Sequence, residues 1–81
     1  MTDSSVNNFP KIAIRNRQEI EQSQNCGCYN CIKIFSVNEV VKWTDQNRTA
    51  LCPFCSVDSL IPDSVVSLNE EILTKAQKYW F

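Results

Sequence analysis

The sequence predicts a small α+β domain folded around one metal ion, and three features of it say so. Four of the five cysteines form two C-x2-C pairs, Cys28 with Cys31 and Cys52 with Cys55, separated by 20 residues. Short apolar runs bounded by turn residues flank both pairs and read as strands. One long amphipathic pattern, beginning near Leu68, reads as a C-terminal helix.

Length sets the need for the metal. The chain has 81 residues, enough for one domain with a poor ratio of buried to exposed surface. A core of this size rarely supplies more than about 3 to 5 kcal/mol, whereas a structural zinc site contributes an apparent value of about 10 to 16 kcal/mol. By magnitude, the metal decides whether such a chain folds.

The cysteine spacing identifies the ligand set. Two thiolates separated by two residues turn toward one centre in a tight knuckle, and two knuckles supply the corners of a tetrahedron. Histidine is absent, so the expected set is all sulfur: Cys28, Cys31, Cys52 and Cys55 around one structural Zn2+. Iron is the competing metal, because rubredoxin-like sites also pair two knuckles. In such sites glycine usually follows the second cysteine, and here those positions are Ile32 and Ser56, which favours zinc. A disulfide framework is disfavoured by the odd cysteine count and the lack of a secretory signal. Cys52-Pro53-Phe54-Cys55 alone looks like a glutaredoxin-type dithiol, but only 26 residues follow it, too few for a thioredoxin-like remainder. Cys26 is read as a free thiol beside the site, able to exchange with Cys28 across Gly27. Cys26→Ser is accordingly expected to be nearly silent.

Residues 1–24 read as a disordered or loosely ordered N-terminal arm, and residues 25–81 as the zinc-binding domain. Met1 to Asn8 is rich in Ser, Asn and Asp. Lys11 to Gln24 offers only Ile12, Ile14 and Ile20 as large apolar residues, so little core is expected from it. Ile32 to Phe35 is a strand candidate. Ser36-Val37-Asn38-Glu39 follows the capping-box pattern and predicts a short helix from Val37 to about Trp43. Asp45-Gln46-Asn47 reads as a turn, Arg48 to Leu51 as a strand into the second knuckle, and Leu60-Ile61 as a strand ended by Pro62-Asp63. Ser67-Leu68-Asn69-Glu70 is a second capping box that makes Ser67 the N-cap of the last helix. Leu68, Ile72, Leu73, Ala76 and Tyr79 or Trp80 form its apolar stripe, and Tyr79-Trp80-Phe81 is expected to cover the core. Strands flanking the knuckles with a helix between them describe a zinc-ribbon-like unit. A treble clef is less favoured, since Ser56 to Pro62 is a poor helix start.

Charge narrows the partners. Eight Lys plus Arg against nine Asp plus Glu give a net charge of −1, which does not favour steering toward nucleic acid or an anionic membrane. Met1 to Pro10 has no basic stretch followed by an apolar one, and no run approaches the apolar length of a membrane span. A cytoplasmic location is expected.

The words Cys28-Tyr29-Asn30-Cys31-Ile32-Lys33-Ile34-Phe35, Thr49-Ala50-Leu51-Cys52-Pro53-Phe54-Cys55, Asp58-Ser59-Leu60-Ile61 and Lys78-Tyr79-Trp80-Phe81 resemble a family of small uncharacterised bacterial cytoplasmic proteins with paired CxxC zinc knuckles. The resemblance runs from Cys28 to Phe81. It implies a bacterial, metal-binding protein and no established activity. Ser56 departs from the glycine usual in that family.

Three classes of function are weighed. The first is a protein–protein interaction module, such as an immunity- or antitoxin-like inhibitor, which small size and the lack of a catalytic cluster favour. The second is a nucleic-acid-binding zinc ribbon, with Arg15, Arg17, Lys33, Lys42 and Arg48 as a basic patch and Tyr29 or Phe54 stacking on bases. The third, an enzyme, is least favoured, because four cysteine ligands close the shell that a catalytic zinc keeps open.

Overall fold

The computed structural model describes residues 6–81, so the expectation for Met1–Ser5 lies outside the described residues. In chain order the elements are helix α1 (Phe9–Ile12), helix α2 (Arg17–Glu21), strands β1 (Asn25–Cys28) and β2 (Lys33–Ser36), and a 3-10 turn (Val37–Glu39). Strands β3 (Lys42–Thr44), β4 (Thr49–Leu51) and β5 (Leu60–Pro62) follow, then helix α3 (Glu70–Trp80). The result is a small α+β domain with antiparallel sheets and a C-terminal helix.

β1 is the central strand of a sheet ordered β2-β1-β5, and β3 and β4 form a separate hairpin. Period-two alternation divides the sheet residues between two cores. Cys26 pairs with Phe35 and Pro62, and Cys28 with Lys33 and Leu60. Cys26, Cys28, Phe35 and Leu60 face a core shared with Ile20, Val40, Ala50 and Cys52. Gly27, opposite Ile34 and Ile61, faces α3 on the other side. There Ile61 joins Phe9, Tyr29, Ile72, Leu73 and Ala76. The glycine is required by closeness: a Cβ at position 27 would stand 3.1 Å from Leu73 Cδ1 and 3.3 Å from Leu68 Cδ1. Without that side chain the helix lies down on the sheet.

The N-terminal segment differs from its expected role. From Val6 onward it is folded and carries core: Val6, Phe9 and Ala13 are buried against α3 and β5, and Ile20 is buried on the opposite side of the sheet. Spacings of three and four residues place Val6, Phe9 and Ala13 on one helical face, and Pro10 sits in the first turn of α1, where its missing N–H is harmless. Val6, Phe9 and Ala13, with Tyr29, Ile61 and Val66, complete the apolar bed on which α3 lies.

Between the helices, Asn16 is buried and bridges two strands, its Nδ2 donating to Leu60 O at 2.9 Å and its Oδ1 accepting from Ala50 N at 3.3 Å. Arg15 N donates to Thr49 Oγ1 at 2.8 Å and Arg17 N to Arg48 O at 3.0 Å. Residues 15–17 therefore fasten the β3–β4 hairpin to the sheet. At the far end of the chain, the Trp80 indole donates to Val6 O at 2.8 Å.

Two helix boundaries are corrected. The helix expected from Val37 to Trp43 is only the 3-10 turn Val37–Glu39, and the chain then extends into β3. Ser36 Oγ accepts from Asn38 N at 3.2 Å, so the cap forms, but Val40, Val41, Trp43 and Thr44 prefer a pleated surface and end the helix after one turn. The last helix starts at Glu70 with Asn69 as N-cap, not at Ser67; Asn69 Oδ1 accepts from Ile72 N at 2.8 Å. Glu70 and Glu71 then occupy the first turn and Lys78 the last, as the helix dipole favours. Its final aromatics do not seal the core. Tyr79, Trp80 and Phe81 stay largely exposed, although the Phe81 ring lies 5.4 Å from that of Tyr29.

Candidate metal centre

Two turns of matching construction build the site. The first is the β1–β2 connection: β1 ends on Cys28, Ile32 N donates to Cys28 O at 3.0 Å, and Asn30 N and Cys31 N point at Cys28 Sγ at 3.3 and 3.4 Å. The second follows β4: Ser56 N donates to Cys52 O at 2.8 Å and Phe54 N points at Cys52 Sγ at 3.4 Å. Each turn brings the backbone into the left-handed region directly after its second cysteine, with φ of 57° at Ile32 and 64° at Ser56. These are the two positions where glycine is usual, and a side chain there costs roughly 1 to 2 kcal/mol. Ser56 is exposed, so Ser56→Gly removes the clash without disturbing packing. It should raise the melting temperature, by about 0.5 to 1 kcal/mol of stability; a lower melting point for the variant would show that the knuckle carries no such strain.

The four thiols converge. The sulfurs of Cys28, Cys31, Cys52 and Cys55 all lie within 4.8 Å of one another. Across the two turns, Cys28 Sγ is 3.6 Å from Cys55 Sγ and Cys31 Sγ is 3.6 Å from Cys52 Sγ. A disulfide would need about 2.05 Å. Bonds of about 2.3 Å to a central ion put the sulfurs of a tetrahedron roughly 3.8 Å apart, and the observed spacing fits that edge. The residues present thus suit a metal ion with an all-sulfur shell. Cys28 and Cys52 are fully buried, while Cys31 and Cys55 are half-buried.

Neighbouring groups orient the ligands. Ser59, fully buried, places its hydroxyl 3.0 Å from Cys28 Sγ, and its carbonyl accepts from Tyr29 N at 3.1 Å. Gln77 Nε2 donates to Asn30 O at 2.7 Å, tying the first knuckle to α3. Ser59 and Gln77 were not singled out by sequence reading. The only available signal for Ser59 was its place four residues after Cys55, beside the β5 strand candidate.

Burial sets the cost of ionising the cluster, which a cation at the centre would offset. Burial pushes the Cys28 thiol upward, against hydrogen bonds from Ser59 and the Cys31 and Asn30 amides that favour the thiolate. Burial and the neighbouring sulfurs of Cys28 and Cys52 push Cys31 upward as well. Burial also opposes ionisation of Cys55, but hydrogen bonds from Asn30 and the Val57 backbone outweigh it and bring the thiol down to about 7. Four thiolates this close repel one another, and a divalent ion held by Cys28, Cys31, Cys52 and Cys55 would offset that repulsion and favour the thiolate forms.

Cys26 is outside the cluster. It occupies β1 two residues before Cys28, fully buried among Phe35, Val40 and Leu60. Burial, followed by the nearby Cys52, pushes its thiol up to about 12, as befits an inert core thiol. The expectation that Cys26→Ser would be silent is therefore corrected. Serine puts a hydroxyl into an apolar core, and the variant should lose about 1 to 3 kcal/mol in a denaturant melt. Unchanged stability would mean that position 26 is wetter than its burial indicates.

The basic residues named from sequence are largely engaged. Arg15 pairs with Asp45 at 3.3 Å and Arg17 with Glu21 at 2.9 Å. Arg17 also stacks 4.6 Å from the Trp43 ring centre, Arg48 donates to Gln46, and Lys33 lies 5.2 Å from the Phe54 ring centre. Tyr29 is buried against Phe9 and cannot stack on a base, whereas Phe54 is 52% exposed. No helix among the described residues is long and apolar enough to cross a membrane. No protein-family model, curated protein or solved structure matches this chain.

Proposed function

We propose that this chain is a zinc-stapled protein–protein interaction module, zinc-ribbon-like in the way two knuckles meet across antiparallel strands, and not an enzyme. The observation that carries the reading is the convergence of four cysteine sulfurs within 4.8 Å. Four thiolates fill a tetrahedral shell and leave no position for a substrate or an activated water. Zinc imposes no geometric preference of its own, so the knuckles can close on it as they stand. The staple joins the β1–β2 hairpin to the β4–β5 connection, which share no other covalent constraint.

The interaction role draws its support from what the fold leaves outside. Phe54, Tyr79 and Phe81 are each more than half exposed, and aromatic residues contribute heavily to interface energy. A nucleic-acid role has less support, because Arg15 and Arg17 already face carboxylates.

The test is metal content of protein purified without added metal, with thiol reactivity followed before and after chelation. One zinc per chain, with all five thiols slow until a chelator is added, is the expected result. Absence of metal, or a Cys52–Cys55 disulfide, would sink the staple. Iron in stoichiometric amount would keep the cluster but replace zinc.

A further inference from the structure

We propose that the free edge of β2 pairs with the same edge of a second copy of this chain. The inference names a partner for the interaction module and rests on that reading's metal-held scaffold. β2 is an outer strand of its sheet, with β1 on one side and no strand on the other among the described residues.

The register shows which backbone groups the edge offers. Val37 N donates to Gln24 O at 3.1 Å, which makes residues 24 and 37 a hydrogen-bonded pair. In an antiparallel ladder such pairs alternate, so the next ones are Cys26 with Phe35 and Cys28 with Lys33. The N–H and C=O of Ile34 and Ser36 therefore point away from β1 into the free edge. A bare edge of this kind is a template for another strand.

Side chains on both faces frame the edge. Phe54 stands on the metal side, packed on Phe35 with ring centres 5.1 Å apart, and Ile34, 44% exposed, stands on the helix side. With Lys33, Glu39 and Glu70 they line an open groove of about 480 Å³.

Charge selects the second copy over an unrelated peptide. Lys33 opens the strand and Glu39 lies just beyond its end, so the edge carries opposite charges at its two ends. A two-fold interface must be complementary to itself, and antiparallel pairing about an axis through the sheet brings each Lys33 toward the other copy's Glu39. Placing Phe35 opposite Phe35 keeps the two faces matched. Ile34 of each copy then exchanges hydrogen bonds with Ser36 of the other, and Lys33 comes opposite Val37, the first residue of the turn that carries Glu39. A four-residue edge with one flanking aromatic is small, so association is weak, with a dissociation constant on the order of 10⁻⁴ M.

Sedimentation velocity on the zinc-loaded full chain, from about 10 μM to about 1 mM, tests this. The wild type should shift from monomer to dimer over that range. Ile34→Lys should weaken the dimer at least about tenfold, because the apolar contact is lost and two like charges then stand diagonally across the axis. Lys33→Glu and Glu39→Lys should each weaken it several-fold, and the double reversal should recover to within about twofold of wild type. A zinc-loaded wild type that stays monomeric at the highest concentration overturns the pairing, as does a double reversal that fails to recover. Metal content and melting of every sample separate this failure from a failure of the scaffold: a monomer with full zinc condemns only the edge, whereas a chain without metal condemns the staple.

Discussion

Cys52→Ser should abolish the cooperative melt and leave the chain largely unfolded at room temperature. Cys52 is fully buried, begins the second knuckle, and faces the Cys31 sulfur at 3.6 Å. Its loss leaves three thiolates of a site expected to contribute about 10 to 16 kcal/mol, against a core worth about 3 to 5 kcal/mol. Near-ultraviolet circular dichroism and a denaturant titration, with and without added zinc, would read the result. A sharp transition at the wild-type midpoint, without bound metal, would mean that packing alone holds the fold and would overturn the stapled account. Cys31→Ser offers a milder companion, because its sulfur is only half-buried and water can take the vacated position.

Phe9→Ala should be the most damaging change away from the cysteines. Phe9 is completely buried, edge-on to Tyr29 with ring centres 5.4 Å apart, in the core that seats α3. Truncating a buried phenylalanine costs about 3 to 5 kcal/mol, as much as the apolar core of so small a domain supplies. The zinc-loaded variant should keep its metal and melt roughly 12 to 40 °C lower. A small loss of stability would mean that the N-terminal segment lies on the domain without belonging to its core.

The parts of the structure that could be read from sequence are those fixed by close neighbours in the chain. Two residues between cysteines fix a knuckle, so Cys28, Cys31, Cys52 and Cys55 were identifiable as one set and Cys26 as the exception. β2, β4 and β5 were legible as short apolar runs between turn residues, and α3 as a helical stripe. Its start was misplaced by two residues because Ser67 and Asn69 are both good caps, and only Asn69 leaves Glu70 and Glu71 in the first turn. The helix after Ser36 failed because its cap is local whereas the strand propensity of Val40 to Thr44 is realised only by pairing with β4.

The N-terminal segment was misread for a different reason. Its helices have four and five residues, too short to show a period, and its core contribution rests on Phe9 and Ile20 packing against residues far along the chain. The spacing of Val6, Phe9 and Ala13 was the signal that could have revealed it. Asn16 could not have been found in that way, since its two partners, Leu60 and Ala50, lie 44 and 34 residues downstream.

The order of elements along the chain sets a sequence of events during synthesis. All four clustered cysteines precede residue 56, whereas α3 does not begin until Glu70. None of the four sulfur ligands lies on α3, so a metal ion can close the two knuckles before that helix docks on the other face of the sheet. Gly27 and Ile61 then wait bare until Leu73 arrives, and the Trp80–Val6 hydrogen bond is among the last to form. A nascent chain short of metal would thus expose both faces of its sheet at once, a state open to aggregation and to proteolysis.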